Sequence, residues 1–468
     1  MKSYLKIIAM GVLLVSCMQK NNNTTGEGET IFTGKEGEIK LIVLAPGHFH
    51  ANLLQKSSIP QVNNSVFIYA PAKDAGLKQY LSAIESFNHR DKDPTSWETI
   101  VYTGDDFLKK MAADKKGNVV VLAGNNKKKT GYILNAVDEG FNVLSDKPMA
   151  INREDFLLLE EAYSRAEAKN VLLYDMMTER YDMLNIIEKK LINDHDFFGE
   201  LQEGTSENPA VYMESVHHFY KEVSGEPLRR PAWYYDVEQQ GEGIADVTTH
   251  LIDQLFWKCF PEQAISYTGD IGNISSTHWP TEITLGQFTK STGETAFPDY
   301  LQKYLDNSTL KVYANGTLNF DVKNRHVGLK VIWNWQAPEG SGDTSMSVVK
   351  GTKAILKTVQ GKKQDFVKQL YVQKPEGLDK DVFSDNLQKA VEKIQASYPF
   401  VSASPASVEG EYLVNIPEEN REGHELHFRY VAESFFSFLV NRDMPEWEKA
   451  NTLAKYYITT QAVKLAKE

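Results

Sequence analysis

Val119-Val-Val-Leu-Ala-Gly-Asn-Asn126, Asn142-Val-Leu144 and Ser145-Asp-Lys-Pro-Met-Ala150 decide the fold. The first two runs are short and apolar, and the segment between them, ending at Glu139-Gly140, is long enough for a crossover helix. Strand, helix, strand is the order of a parallel unit. Asp146-Lys147-Pro148 follows the second strand directly. Open parallel sheets bind ligands beyond the carboxyl ends of their strands, so Lys147 is expected on the ligand-binding side. Pro148 fixes its own φ and biases Lys147 away from the α region. In isolation a Lys-Pro pair after a strand reads as a solvated turn, so the rest of the chain has to support the assignment.

Working outward, Lys40-Leu-Ile-Val-Leu44, Val66-Phe-Ile-Tyr69, Thr99-Ile-Val-Tyr102 and Val171-Leu-Leu-Tyr174 complete a set of parallel strands spaced for crossover helices. They predict an α/β domain over residues 39–175, a doubly wound Rossmann-type parallel sheet. Over 176–468 the pattern becomes α+β: a helix through 183–190, then strands at 283–288, 310–313, 327–335 and 346–349, forming a large, mostly antiparallel open sheet. Val327, Leu329, Val331, Trp333 and Trp335 share one strand face, to be covered by helices or by a partner subunit. Residues 359–424 are highly charged with little periodicity and read as an insertion or lid, with Ser402-Ala-Ser-Pro-Ala-Ser407 as a loop. Segments 428–440 and 447–465 have apolar residues at helical spacing, interrupted at Asp443-Met-Pro445, and predict a C-terminal helical pair.

A second stretch with chemical content is Gly241-Glu-Gly-Ile-Ala-Asp246-Val-Thr-Thr-His250-Leu-Ile-Asp253. A helix would stack Asp246, His250 and Asp253 on one face. A carboxylate one turn from an imidazole can orient it and raise its pKa, which suits proton transfer near neutrality. A satisfied core histidine is the plainer alternative.

Together, Asp146-Lys147-Pro148, the Gly-containing first turn and Asp246-x-x-x-His250 resemble the glucose-fructose oxidoreductase, inositol dehydrogenase and MocA family. That family usually has Glu-Lys-Pro, and its helix carries Asp-x-x-x-His. The order of elements matches from about residue 39 onward, with Arg180-Tyr181 and Phe198-Gly-Glu-Leu201 in corresponding places. Ala45-Pro-Gly-His-Phe-His50, Phe87-Asn-His-Arg90, Tyr174-Asp-Met-Met-Thr-Glu-Arg180 and Val216-His-His218 resemble, more narrowly, lipoprotein-like Bacteroidetes oxidoreductases with their own C-terminal domain.

The resemblance implies a nicotinamide cofactor, NAD or NADP, and hydride transfer. Of the G-x-G-x-x-G template only the middle glycine, Gly47, is kept; Ala45, Gly47, His48, His50, Asn126 and Lys147 are the candidate cofactor contacts. Tyr69 and Ala70 stand where an acidic residue would hold the ribose hydroxyls, so neither cofactor is favoured. A sugar, glycoside or polyol hydroxyl suits the set better than a 2-hydroxy acid, since no arginine motif for a carboxylate stands out. His250 would take the hydroxyl proton, Asp246 orient it and Lys147 hydrogen-bond the same oxygen; His217, His218 and Lys221 are candidates for the sugar pocket. No metal is assigned, because no third ligand with recognisable spacing accompanies these histidines. The alternatives are an NAD-dependent glycosidase acting through transient oxidation and a non-catalytic sugar-binding lipoprotein.

A chain of 468 residues with net charge −12 has capacity for two or three domains and argues against a nucleic-acid partner. Lys127-Lys-Lys129 reads as a solvated helix start, with one lysine in reach of a cofactor phosphate. Residues 1–17 read as a lipoprotein signal: Lys2 and Lys6 precede the short apolar core Ile7-Ile-Ala-Met-Gly-Val-Leu-Leu-Val15, and Leu14-Val-Ser-Cys17 resembles a lipobox with Cys17 as the lipidated residue. Residues 18–38, rich in Asn, Thr, Gly and Glu, read as a disordered tether. This places the protein in the cell envelope, anchored by lipid alone and facing the periplasm. Free dinucleotide is scarce there, so a tightly retained cofactor is expected. Cys259 is left as a free thiol. Association into a homo-oligomer through the C-terminal sheet is expected from the resemblance.

Overall fold

The computed structural model describes residues 31–468 apart from 75, 224 and 225. The expected signal, Cys17 and most of the tether lie outside the described residues. The last stretch of that tether is ordered: Phe32 is buried against the core, and the Glu38 carboxylate accepts from the Thr33 and Gly34 N–H groups.

The first sheet has six parallel strands, β1 (Leu41–Leu44), β2 (Ser65–Ala70), β3 (Glu98–Thr103), β4 (Val119–Leu122), β5 (Asn142–Asp146) and β6 (Leu173–Met176). Their order is β3-β2-β1-β4-β5-β6, the doubly wound arrangement expected from the apolar runs. β1 lies between β2 and β4, with Leu44 opposite Tyr69 on one side and Leu122 on the other. Every residue of β1 and β4 is buried, as strands covered on both faces require. The order reverses at β1 and β4, so the ligand crevice of such a sheet opens above these two strands.

The second sheet runs in the order Ile271–Ile283, Thr309–Val322, Arg325–Gln336, Val211–Tyr220, Thr344–Lys350, Ile355–Gln360, Gln369–Gln373, Glu411–Asn415, Ser402–Pro405. Its pairings are antiparallel except where Arg325–Gln336 meets Val211–Tyr220. Three local expectations fail. Residues 283–288 end one strand and begin the helix Leu285–Thr292, because Thr284 and Gln287 form a reciprocal capping box that stops the strand. Residues 359–424 are no lid: they extend this sheet and add the helix Lys380–Gln395, whose Phe383, Leu387 and Val391 are buried in the sheet's core. Ser402–Pro405 is the edge strand and not a loop; its short polar residues suit an edge. Trp333 is only 7% exposed and packs internally against His217 and Phe219, so it is no subunit surface.

The helices His424–Asn441 and Glu446–Lys467 return to the first sheet. Phe428, Val431, Phe435 and Leu439 share a cluster with Leu41, Val43 and Ile68 on one face, and Leu453 and Tyr456 join Val120 and Val143 on the other. Each fully buried Phe here contributes about 1.5–3 kcal/mol.

Candidate active site

β5 is buried along its whole length and delivers Lys147 beyond its carboxyl end. The lysine Nζ donates to Asp246 Oδ1 at 2.7 Å and, more weakly, to the Asp246 carbonyl at 3.4 Å. Behind it stands Lys129, completely buried on the helix Asn126–Asp138. Its Nζ donates to Asn126 Oδ1 (2.7 Å) and to the carbonyls of Asp146 (3.0 Å) and Lys147 (3.3 Å), clamping the backbone that carries Lys147. Burial pushes Lys129 down to about 8. The lysine run thus contains one internal residue and is not uniformly solvated.

Asp246 ends the short helix Gly243–Asp246, and Val247 joins it to the helix Thr248–Cys259 that carries His250. Gly243 is required by close approach: a Cβ there would lie 1.8 Å from the Ala314 carbonyl oxygen. Asp246 is spent on Lys147, 99 residues away in sequence, and Asp253 on Arg180 (2.7 Å), so neither carboxylate orients the histidine. His250 Nδ1 is buried without a hydrogen-bond partner. Burial and then the Lys147 charge push this imidazole down to about 3, opposite to the expected rise. His250 is therefore neutral at physiological pH, the state in which it can accept a proton.

His250 lines a cavity of about 530 Å³ between the helix Thr248–Cys259, the second sheet and the start of His424–Asn441. His217 lies in its wall, stacked on Trp333 and bonded to Ser215 Oγ at 2.8 Å. His218 and Lys221 stand behind that wall and hold Asp343, at 3.0 and 2.5 Å, so that Asp343 rather than they faces the cavity. Although burial opposes it, the bond from His217 and the Lys221 charge keep Asp343 below the usual carboxylate range. On the opposite side Lys368 pairs with Glu179 (3.3 Å) and Asp182 (2.9 Å). His427 is buried with both ring nitrogens unpartnered and, with His424, completes the wall. Orphaned polar atoms around a cavity are sites that a hydroxylated ligand would satisfy.

A second cavity, about 290 Å³, opens at the switch point and is lined by Ala45, Gly47, Lys73, Gly124, Asn125 and Trp233 among others. Ala45 sits in the left-handed region (φ 48°) where the dinucleotide template has its first glycine. The His48 N–H is spent on the Ala123 carbonyl (3.1 Å) and that of His50 on His48 Nδ1 (3.3 Å), so Gly47 and Phe49 are left to offer N–H groups to a phosphate. A Cβ on Gly47 would meet Asn125 N and Gly124 Cα at 3.3 Å, so the turn is fitted to the opposite loop. Asn126 does not face this cavity: its amide donates to the Gln240 carbonyl and its oxygen accepts from Lys129, and Asn125 takes the lining position. His48 and His50 turn instead toward Asp146.

Lys129, Glu179, Asp343, Lys368, His424 and His427 escaped the sequence reading. The pair His424-x-x-His427, on one helix face just before an apolar run, was the available signal. Glu179 and Lys368 meet across 189 residues, and periodicity carries no trace of that.

Residues 187–467 match the family described as "Putative oxidoreductase C terminal domain". A putative oxidoreductase from Parabacteroides merdae is 48% identical, covering 94% of this chain and 99% of that one, with TM-score 0.91. The chain belongs to the oxidoreductase family that carries this C-terminal domain. More distant structures share the fold of this oxidoreductase: the WlbA dehydrogenase of Bordetella pertussis, solved with NADH and UDP-GlcNAcA, is 13% identical, covering 93% of this chain and 97% of that one, with TM-score 0.53. A putative myo-inositol dehydrogenase of Sinorhizobium meliloti is 12% identical, covering 92% and 97%, with TM-score 0.52. No curated protein sequence matches the chain.

Proposed function

We propose that this oxidoreductase transfers hydride between a neutral sugar, glycoside or polyol hydroxyl and a nicotinamide cofactor, NAD or NADP, retained in the crevice above β1 and β4. The observation that carries the reading is neutral His250 in the wall of a cavity whose lysines are all matched by carboxylates, with the Lys147–Asp246 pair near enough for the lysine charge to act on the imidazole. Lys368 is held by Glu179 and Asp182, and Lys258 by Glu188. With Glu214, Asp343 and Glu422 also in the wall, nothing there favours an anionic substrate, whereas hydroxyl groups find acceptors and donors on several sides. Ala45, Gly47 and Asn125 would border the dinucleotide. The nicotinamide, when bound, supplies the hydride acceptor. His250 takes the proton of the substrate hydroxyl, and Lys147 donates to the oxygen as negative charge develops on it. The Asp246 carboxylate keeps Lys147 aimed, and Lys129 fixes its backbone.

The surroundings are part of the proposal. Cys17 would carry the lipid that anchors the protein to the envelope on the periplasmic side, and copies would associate through the second sheet, which exposes Trp279 and Met346. Among the described residues no helix is long and apolar enough to cross a membrane. The test is mass spectrometry of small molecules released by denaturing the purified protein, followed by the nicotinamide absorbance change on mixing with free sugars and glycosides. A released dinucleotide and reduction by at least one sugar support the reading. A protein that holds and binds no dinucleotide is a sugar binder, and the proposal fails.

A further inference from the structure

The sequence reading assigned no metal, yet the fold brings together three side chains whose chemistry is that of a metal site. His48 and His50 project from the turn after β1, and Asp146 from the end of β5, about a hundred residues away in sequence. His50 Nδ1 lies 3.0 and 3.1 Å from the two Asp146 oxygens, and His48 Nδ1 lies 3.8 Å from Oδ2. One ligand atom from each falls within 4.8 Å of the others. The two imidazoles meet edge-on with centroids 4.2 Å apart, so both nitrogens can face one point. The side chains are 25%, 12% and 5% exposed, so the cluster is largely buried but still reached by solvent at His48.

These residues are unused by the proton-transfer site. Lys147 is bonded to Asp246, and Lys129 reaches Asp146 only at its backbone carbonyl, so the Asp146 carboxylate is left to the two imidazoles. His48 Nδ1 accepts nothing stronger than the 3.3 Å bond from the His50 N–H. We propose that His48, His50 and Asp146 form a binding site for a divalent transition cation, zinc or one of similar character, beside the cofactor turn. Two imidazoles and one carboxylate match the borderline donor preference of zinc, whereas calcium and magnesium take oxygen ligands. Ligand bonds of about 2.0–2.1 Å at a tetrahedral centre put donor atoms about 3.3 Å apart, so the observed separations need only small side-chain adjustment. Three protein ligands leave a coordination position for water or a substrate oxygen. The His50 ring meets Phe428 at a tilt, centroids 4.7 Å apart, and lies 6.4 Å, ring to ring, from His424 in the wall of the large cavity, so the ion would sit between the cofactor turn and that cavity. This inference does not depend on which hydroxyl is oxidised, or on any oxidation at all.

The experiment uses the whole mature chain, stripped with a chelator and titrated with Co²⁺ followed by its visible absorption, then with Zn²⁺ in competition. The expected result is one saturable equivalent per chain. His48→Gln and His50→Gln should each weaken it by more than the roughly tenfold that loss of an outer-shell partner costs. His427→Ala, which removes a cavity histidine outside the cluster, should leave it unchanged. Thermal unfolding of each stripped variant verifies that the fold persists, and Zn²⁺ should raise the midpoint of the unsubstituted protein. Absence of saturable binding, binding in either Gln variant as tight as in the unsubstituted protein, or loss of the equivalent in His427→Ala overturns the site.

Discussion

Replacing Lys147 with Met separates chemistry from architecture, because the lysine serves both. Its charge is the partner of Asp246 at 2.7 Å, in a pair whose side chains are 14% and 9% exposed. Removing one member of a buried pair strands the other, at a cost of about 3 kcal/mol for a site this enclosed. In the unsubstituted protein burial works to raise the Asp246 pKa but the Lys147 charge and hydrogen bond win and lower it, so its contribution to stability is full above the unfolded value and is lost as pH falls through the folded one. Without the lysine burial loses its strongest opponent, with only His250 and the Gln240 hydrogen bond still acting against it, and the folded pKa rises; the deficit is therefore largest at neutral pH and shrinks in acid. The double variant Lys147→Met/Asp246→Asn removes the stranded charge and should recover most of the loss. Turnover should not recover: losing the charge that steadies the substrate oxygen costs on the order of 10²–10³-fold in both variants. His250 adds a signature. Lys147 is the main charge holding it down, so the acid limb of the rate profile should move to higher pH in Lys147→Met. Urea unfolding at neutral and acid pH, with single-turnover absorbance of the bound nicotinamide, measures all of these. If the double variant turns over like the unsubstituted protein, or the acid limb stays where it was, the roles assigned to Lys147 are wrong.

Three further outcomes are expected. Gly47→Val crowds Gly124 and Asn125, already at 3.3 Å from a bare Cβ, and should weaken dinucleotide binding by calorimetry at least about tenfold with the fold retained; equal affinity would move the phosphates elsewhere. Arg180→Met leaves Asp253 and Glu448 short of a buried cation and should lower stability by about 3–5 kcal/mol in denaturant unfolding; a change under about 1 kcal/mol would show the network to be replaceable. Cys17→Ala should shift the protein from the membrane to the soluble fraction, and retention after a salt wash would refute the lipid anchor.

The parallel sheet was legible because each of its strands is a nearly continuous apolar run, and because the Lys-Pro after β5 marks the strand's end. The same logic erred at residues 283–288, where an apolar stretch hides the cap at Thr284 that starts a helix. It erred again at 402–405, where an edge strand without apolar alternation is held by pairing with Glu411–Asn415. At the active site, local spacing suggested that Asp246 serves His250, since helical periodicity sees only near neighbours. The stronger demand is Lys147, a buried cation that only the tertiary fold brings within reach. Asn126 was taken for a cofactor contact from its place after β4; the neighbouring Asn125 holds that position once Asn126 has been drawn to Lys129 and Gln240.

The helix Glu446–Lys467 has a bearing on when during synthesis the protein can begin to work. Lys455 reaches Asp253 on the His250 helix at 3.1 Å and Asp175 at the end of β6 at 2.9 Å, and Glu448 completes the Arg180 pair. Asp253 and Lys455 are 202 residues apart. At ribosomal speeds of about 5–20 residues per second, the aspartate waits roughly 10–40 s for this cation. Throughout that interval Asp253 has Arg180 but not Lys455, and Arg180 lacks Glu448, so the charge network around the segment bearing His250 is incomplete and the nascent chain should stay loose there until residue 455 arrives. Chains arrested before residue 446 should be cut rapidly by protease within 243–259, and chains arrested after the last helix has emerged should resist. Equal resistance in the two would mean that this region closes without its late partner.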